Sequence, residues 1–111
     1  MLALILVVAC GKESAPAVIG DATRGRQIVQ QYGCASCHDI PTVSGPRGMV
    51  GPALTHVASR EVIAGKFPNT PENLIKYLQN PQAADPANVM PNFGLTPEQC
   101  RDIAAFLYTL K

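Results

Sequence analysis

The segment Cys34-Ala35-Ser36-Cys37-His38 carries the most specific signal in this 111-residue chain. It places two thiols three residues apart and an imidazole directly after the second thiol. Thiols at this spacing can add to the two vinyl groups of one porphyrin, and the next residue is then turned beneath the ring, where its imidazole reaches the iron. The segment therefore predicts one covalent haem c, attached at Cys34 and Cys37, with His38 as an axial iron ligand.

Other uses of cysteine fit the chain less well. A structural zinc site needs four ligands in a compact cluster, but the remaining Cys and His residues are scattered and no second paired motif is present. A dithiol oxidoreductase or a disulfide framework is also disfavoured, because no strand signal precedes Cys34 and the cysteines are unevenly spaced. Cys100 has no evident partner and is expected to be a packed free thiol, with an intermolecular bridge as the alternative.

The composition allows one domain whose protein core is incomplete. The chain has no internal repeat and is long enough for one core only. Apolar residues make up 47% of it, but Trp is absent and aromatic residues reach only 5%, so a large apolar cofactor would supply the missing bulk. The formal net charge of +1, with acids and bases interspersed, argues against nucleic-acid binding and against an electrostatic membrane patch.

Capping signals predict three main helices. Asp21 can cap a helix that runs to about Tyr32. Thr70-Pro71-Glu72 offers an N-cap, a proline at the first helical position and an acid in the first turn, so a second helix should span residues 71–79. The capping box Thr96-Pro97-Glu98-Gln99 opens the last helix.

Two irregular segments rich in proline join these helices. Residues 40–52 hold three prolines and three glycines without periodicity, and residues 80–95 hold prolines at positions 81, 86 and 91. A short helix is expected over about residues 53–60, and no strand is predicted. Long irregular segments in a small domain need something to wrap around. The predicted fold is therefore all-α, with three main helices and one short helix around the haem.

Three residues are candidates for the sixth iron ligand: Met49, His56 and Met90. Met90 lies in Asn88-Val89-Met90-Pro91-Asn92, where a fixed backbone can present a thioether across the ring from His38. Met49 and His56 are close in sequence to the proximal side, and His56 is expected to be a partly exposed polar side chain. A thioether favours the reduced iron and raises the potential. Met90 is therefore the predicted ligand, with bis-histidine ligation by His56 as the alternative.

At these residues the chain resembles the class I c-type cytochromes, from Gly20 to Leu110. The matching segments are Gly20-Asp21 with Gly25, the Cys34 to His38 motif, Gly51-Pro52-Ala53-Leu54, Tyr77-Leu78-Gln79-Asn80-Pro81, Met90, and Ile103 with Phe106. The resemblance implies a cytochrome c fold in which the first and last helices cross closely. Gly25 would permit the approach, and Ile103 and Phe106 would pack there.

The resemblance also implies roles for residues around the haem. The carbonyl of Pro52 would accept the ring N–H of His38, which fixes the orientation and basicity of the imidazole. Tyr77 would lie over the distal face and donate to the sulfur of Met90.

The propionates are expected to pair with arginine, which binds carboxylates in a bidentate manner. By count, Arg60 matches the arginine that follows the Gly-Pro-x-Leu segment in the family, and Arg47 is the second choice. Where many relatives carry a propionate-binding Trp or Thr, this chain has Asn69 and Asn88. Val29 likewise stands in place of an aromatic residue at the helix crossing.

The first ten residues form an uninterrupted apolar run that is far shorter than the roughly 20 residues a membrane-spanning helix needs. Val7-Val8-Ala9-Cys10-Gly11 resembles the bacterial lipobox, in which a cysteine is lipidated and becomes the new N-terminus. We therefore expect a lipoprotein-type signal peptide over residues 1–9, a lipidated Cys10 with a tether to residue 19, and the cytochrome domain over residues 20–111. The alternative is an ordinary signal with an incidental cysteine.

Together these features predict a one-electron carrier and not an enzyme, because protein ligands at both axial positions leave none for substrate. The expected electron donor is a quinol-oxidising complex or a dehydrogenase, and the expected acceptor is a terminal oxidase or reductase. The protein would act as a monomer on the periplasmic side of the cytoplasmic membrane, held there by its lipid. A gas sensor or peroxidase, which needs an open sixth position, is the competing class, and a small subunit fixed to one enzyme is a third reading.

Replacing Cys10 with Ser tests the lipid anchor. Wild-type protein should fractionate with membranes, because an acyl chain at Cys10 partitions into the bilayer, and Cys10→Ser should appear in the soluble fraction. Membrane fractionation and intact-protein mass spectrometry measure both. A processed wild-type protein that is soluble and carries no acyl mass would rule out the anchor.

Overall fold

The computed structural model describes Val18 and residues 20–111. The predicted signal peptide over residues 1–9, the lipidation site Cys10 and all of the tether except Val18 lie outside the described residues. None of the helices in the described part combines the length and the apolar character that crossing a bilayer requires.

The described chain is mainly helical, as predicted. Its four α-helices are α1 (Ala22–Gln31), α2 (Pro71–Gln79), α3 (Pro81–Ala84) and α4 (Pro97–Leu107). Two single turns of 3-10 helix lie at Cys34–Ser36 and Val57–Ser59. The short strands β1 (Val62–Ile63) and β2 (Phe67–Pro68) pair antiparallel, with Val62 opposite Pro68 and Ile63 opposite Phe67.

Side-chain caps start the three long helices where the sequence places them. The carboxylate of Asp21 accepts from the backbone N–H of Arg24 at 3.0 Å, and Thr70 caps α2 in the same way. At α4 the Thr96 hydroxyl accepts from the N–H of Gln99 at 3.1 Å, while the Gln99 side chain accepts from the N–H of Thr96 at 2.9 Å. Each cap satisfies backbone donors that the first helical turn leaves unpaired, so the predicted starts of α1, α2 and α4 are confirmed.

The short helical elements differ from the prediction. The helix expected over residues 53–60 is only the 3-10 turn Val57–Ser59. Pro81 ends α2 as predicted, but it also starts α3 inside a segment that was predicted to be irregular. Proline is well suited to the first position of a helix, where its missing N–H has no partner to lose, so the same residue ends one helix and begins the next.

The β1–β2 hairpin was not predicted. Three residues, 64–66, connect the strands, and the N–H of Lys66 donates to the carbonyl of Ile63 at 3.1 Å. The two central residues of this turn, Ala64 and Gly65, both have positive φ, 54° and 63°, as in the turns that match the twist of an antiparallel pair. The strands contain only two residues each, which is too few to leave an alternating pattern in the sequence.

The backbones of α1 and α4 touch where Gly25 faces Asp102. A Cβ atom on Gly25 would collide with the carbonyl oxygen of Asp102, so glycine is required for this approach. Val29, 2% exposed, lies one turn further along α1, and Ile103 and Phe106 are buried on α4. The close crossing of the first and last helices, and the packing of Ile103 and Phe106 in the core, are confirmed.

A buried carboxylate strengthens this crossing. Asp102 is 4% exposed, and it accepts from the backbone N–H of Asp21 at 2.8 Å. Its other oxygen lies 3.7 Å from the guanidinium of Arg24. A buried charge is tolerated when it is paired and hydrogen-bonded, so Asp102 links α4 to the start of α1.

Cys100 is the packed free thiol that was expected. Its side chain has no exposed surface, and burial raises the pKa of the thiol to about 11. Since the thiolate is the reactive form, burial and the raised pKa both lower the reactivity of Cys100 in the folded protein.

Gly25→Ala tests whether the helix crossing holds the fold together. In an isolated helix this change would be stabilising by about 0.5–1 kcal/mol. At the crossing it forces the two backbones apart, so the free energy of unfolding should instead fall by about 2 kcal/mol or more. Denaturant unfolding followed by circular dichroism measures the change, and Gln27→Ala on the exposed face of α1 is the control. If Gly25→Ala were as stable as the wild-type protein or more stable, glycine would not be required at this position.

Candidate functional site

One cavity brings together most of the residues that the sequence singled out. Its volume is about 390 Å³, which lies within the range of sites that hold organic cofactors. The lining residues are mainly apolar, glycine or proline: Tyr32, Gly33, Cys34, Ser36, Cys37, His38, Val50, Gly51, Pro52, Tyr77, Asn88, Val89, Met90, Pro91 and Phe93. Cys34, Cys37, His38 and Met90 therefore share one cavity.

The Cys34 to His38 motif turns towards the cavity directly after α1. Gly33 adopts a left-handed conformation, φ 71°, which ends α1 and starts the 3-10 turn. The N–H groups of Cys37 and His38 then both donate to the carbonyl of Cys34, at 3.2 and 3.1 Å. Through this tight turn Cys34, Cys37 and His38 all line the cavity.

The electrostatic environment of Cys34 differs from that of a catalytic dithiol. The pKa of its thiol is raised, mainly by burial. Dithiol oxidoreductases instead lower the pKa of the attacking cysteine so that it is a thiolate at neutral pH. The environment of Cys34 therefore argues against thiol–disulfide exchange.

The imidazole of His38 is held in one orientation. Its Nδ1 lies 2.7 Å from the carbonyl oxygen of Pro52, and since a carbonyl only accepts, Nδ1 carries the proton. The second ring nitrogen is then free to bind a metal. Gly51 packs against the ring so closely that a Cβ atom there would collide with it, and the N–H of Gly51 donates to the carbonyl of Cys37 at 2.7 Å. The loop before Pro52 is thereby attached to the motif.

Met90 reaches the cavity from the segment that follows α3. Its N–H donates to the side-chain oxygen of Asn88 at 3.0 Å, and the Asn88 amide donates to the hydroxyl oxygen of Tyr77 at 2.8 Å. The resemblance implied that Tyr77 donates to the sulfur of Met90. Here the Tyr77 oxygen is an acceptor for Asn88, and the role of its own proton toward Met90 stays a prediction.

The alternative ligands lie away from this cavity. Met49 is 93% exposed and does not line it. The Nδ1 of His56 lies 2.9 Å from the carbonyl oxygen of Lys111, so its ring packs against the end of the chain. Of the three candidates for the sixth ligand, only Met90 shares a cavity with His38.

The arginines expected at the propionates do not line this cavity either. The guanidinium of Arg60 donates to the carbonyl of Ala53, which follows the cavity residue Pro52. Arg47 is largely exposed and lies 3.9 Å from the carboxylate of Asp39. The side-chain amide of Asn69 donates to the carbonyl of Arg60 at 2.8 Å, so Asn69 supports the segment that carries Arg60.

Two site features were missed by the sequence analysis. Phe93 and Tyr32 line the cavity and form an edge-to-face pair with ring centroids 5.6 Å apart. Gln82 of α3 bonds the backbone of the Met90 segment. Phe93 could have been predicted as a cavity residue from its position three residues after Met90. Gln82 could not have been predicted to bond this segment, because α3 itself was not predicted.

The donor set fits a c-type haem. It comprises two thiols, one imidazole nitrogen and one thioether sulfur, and Gly51 leaves room for the imidazole. A structural zinc site would instead require a compact cluster of four Cys, His, Asp or Glu ligands. Among Val18 and residues 20–111, no group of three or more His, Cys, Asp or Glu side chains could hold a metal ion.

Sequence comparisons found a matching family model and several relatives. The family model described as cytochrome c matches residues 22–111. Cytochrome c2 of Rhodomicrobium vannielii is 31% identical over 105 residues, covering 81% of this chain and 79% of that protein. Cytochrome c-552 of Bradyrhizobium diazoefficiens is 29% identical over 108 residues, covering 97% and 92%.

Two further comparisons concern a longer protein and a solved structure. Cytochrome c oxidase subunit 2 of Alkalihalophilus pseudofirmus is 37% identical over 91 residues, or 81% of this chain, but the chain spans only 26% of that subunit. The crystal structure of cytochrome c2 from Paracoccus denitrificans aligns with a TM-score of 0.57 and 21% identity, covering 81% of this chain and 95% of that one. At this identity the structural match supports the fold alone.

Proposed function

Because the chain belongs to the cytochrome c family, whose members are haem-based electron carriers, we propose that it carries single electrons on one haem c. Cys34 and Cys37 would attach the haem, and His38 and Met90 would bind its iron. The observation that carries this proposal is that these four side chains line one apolar cavity.

The haem supplies chemistry that no side chain has, the reversible gain and loss of one electron at its iron. The chain's own residues hold and orient it. The Pro52 carbonyl keeps the proton of His38 on Nδ1 and leaves the other nitrogen to the metal. The thioether of Met90 is neutral and soft, and it favours the reduced state.

The lining of the cavity disfavours bound water and polar substrates. Its walls are mainly apolar, and the Tyr32–Phe93 pair forms part of them. If His38 and Met90 both bind the iron, no coordination position would be left for a substrate or a gas. This arrangement supports a carrier over a sensor or a peroxidase, so we propose no enzymatic activity.

We keep Arg60 as the proposed partner of the haem propionates. Its guanidinium is anchored at the carbonyl of Ala53, next to Pro52 at the cavity wall. Arginine binds carboxylates more specifically than a lysine would. Arg47 is less suited, because it is exposed and faces Asp39.

We propose that the protein is exported and works on the periplasmic side of the cytoplasmic membrane, anchored by lipid at Cys10. A quinol-oxidising complex or a dehydrogenase would reduce it, and a terminal oxidase or reductase would oxidise it. A second candidate, a donor domain held to one oxidase, is favoured by the similarity to a part of cytochrome c oxidase subunit 2. Both candidates use the same haem site.

Electrons are proposed to leave through the surface around the cavity mouth. Val50 and Val89 line the cavity yet are 71% and 78% exposed, and Met49 next to Val50 is the most exposed apolar side chain of the three. No Lys, Arg, Asp or Glu is among the residues that line this cavity. The fitting partner is a redox protein with an uncharged apolar surface around its own electron-entry site, bound weakly and briefly.

Met90→Ala tests the axial pair. Removal of the thioether should lower the reduction potential by on the order of a hundred millivolts, because the ligand that favours the reduced iron is lost and water gains access. The same variant should bind carbon monoxide readily. Redox titration and absorption spectroscopy measure both effects, and His56→Ala should change neither. If Met90→Ala keeps its potential and stays closed to carbon monoxide, another residue is the sixth ligand.

Salt dependence tests the apolar contact. Oxidation of the reduced protein by membranes of the source organism should change little between low and physiological ionic strength, because charges contribute little to the encounter. Met49→Lys should slow this oxidation, since it places a charge in a contact that loses water. Val62→Lys changes an exposed valine that does not line the cavity and should have no such effect. A steep loss of rate with salt in the wild-type protein would contradict the proposal.

A further inference from the structure

The short helix α3 carries a side chain that reaches the backbone of Met90. The amide nitrogen of Gln82 donates to the carbonyl of Met90 at 2.6 Å and to the carbonyl of Asn88 at 3.1 Å. Because carbonyl oxygens only accept, the nitrogen of this amide must face them. Both amide hydrogens of Gln82 are therefore used within one short segment.

Asn88 holds the same segment from the other side. Its side-chain oxygen accepts from the N–H of Met90 at 3.0 Å. Its amide nitrogen donates to the hydroxyl of Tyr77 at 2.8 Å and lies 3.4 Å from the carbonyl of Pro81. Both backbone polar groups of Met90 are thus bonded to side chains, the carbonyl to Gln82 and the N–H to Asn88. We call these bonds the Met90 clamp.

The clamp matters because the segment around Met90 has no helix or strand of its own. Residues 85–96 form no regular element between α3 and α4, so their backbone groups gain no ladder of hydrogen bonds. Pro86 and Pro91 restrict φ at two positions, but they do not attach the segment to the rest of the protein. Gln82 and Asn88 supply that attachment, and they tie Met90 to α3 and α2.

We propose that Gln82 is a positioning residue that sets how often the Met90 thioether leaves the iron. This inference rests on the proposed function, in which Met90 is the sixth ligand. Loss of the Gln82 amide leaves two carbonyls without their donor, so the segment releases more easily. An external ligand binds only when Met90 is off the iron, and its apparent affinity rises with the population of that state.

Imidazole binding to the ferric holoprotein measures this population. Gln82→Leu keeps the approximate size of the side chain but removes both donors. It should bind imidazole about tenfold more tightly than the wild-type protein, because loss of net hydrogen-bond energy raises the open population by about that factor. The far-red charge-transfer band of thioether-bound ferric iron should weaken at the same time. Gln79→Leu, at the end of α2, should leave both signals unchanged, since Gln79 is not part of the clamp.

Two more variants separate positioning from a loss of structure. Gln82→Arg retains N–H donors and should bind imidazole as weakly as the wild-type protein. Gln82→Glu replaces both donors with acceptors, so it should bind imidazole at least as tightly as Gln82→Leu, and it serves if the leucine variant does not fold. An unchanged imidazole affinity in the folded Leu or Glu variant, with the charge-transfer band present in the wild-type protein, would overturn the inference. Absence of that band from the wild-type protein would instead overturn Met90 ligation itself.

Discussion

The direct backbone contact between α1 and α4 is the constraint on which the other parts of this molecule rest. Gly25 allows the carbonyl of Asp102 to approach α1 without a side chain between them. Asp102 then bonds the start of α1 through its buried carboxylate. Since α1 leads directly into the Cys34 to His38 turn and α2 also packs on α4, this crossing places both walls of the haem cavity relative to one another.

In the loops, side-chain hydrogen bonds to backbone groups fix the path of the chain, as backbone hydrogen bonds do in the helices and strands. His38 bonds the carbonyl of Pro52, Asn69 bonds that of Arg60, and Gln82 bonds those of Asn88 and Met90. Each bond joins a side chain at a defined position to a segment without a ladder of its own. The proposed iron ligands are thus held on both sides by polar contacts that involve no charged side chain. No Lys, Arg, Asp or Glu lines the cavity itself, so the proposed site is uncharged apart from the cofactor.

The function proposed for the chain requires an iron that is closed to external ligands and a cofactor edge that is exposed to a partner. Met90 and His38 line one cavity, where as the proposed iron ligands they would leave no coordination position for a substrate, while Val50 and Val89 at the same cavity are largely exposed to solvent. A carrier needs both properties, because its iron must be protected from ligands and its cofactor must come close to a partner. The chain is similar both to a cytochrome c2 and to a part of a cytochrome c oxidase subunit 2.

Helix starts and the haem motif were readable in the sequence because each depends on residues within one or two turns. Asp21, Thr70 and Thr96 cap helices through neighbours three residues away, and the spacing of the motif is itself the chemical requirement for attachment. By contrast, α3 and the β1–β2 hairpin were missed because elements of four or two residues are too short to leave a periodic pattern in the sequence. The Met90 clamp was missed because it depends on α3. The hydrogen-bond partners of Arg60 and Tyr77 could not be predicted from local sequence patterns either. Those partners are decided only by the tertiary structure, because the packing of α1, α2 and α4 brings distant polar groups within hydrogen-bond distance.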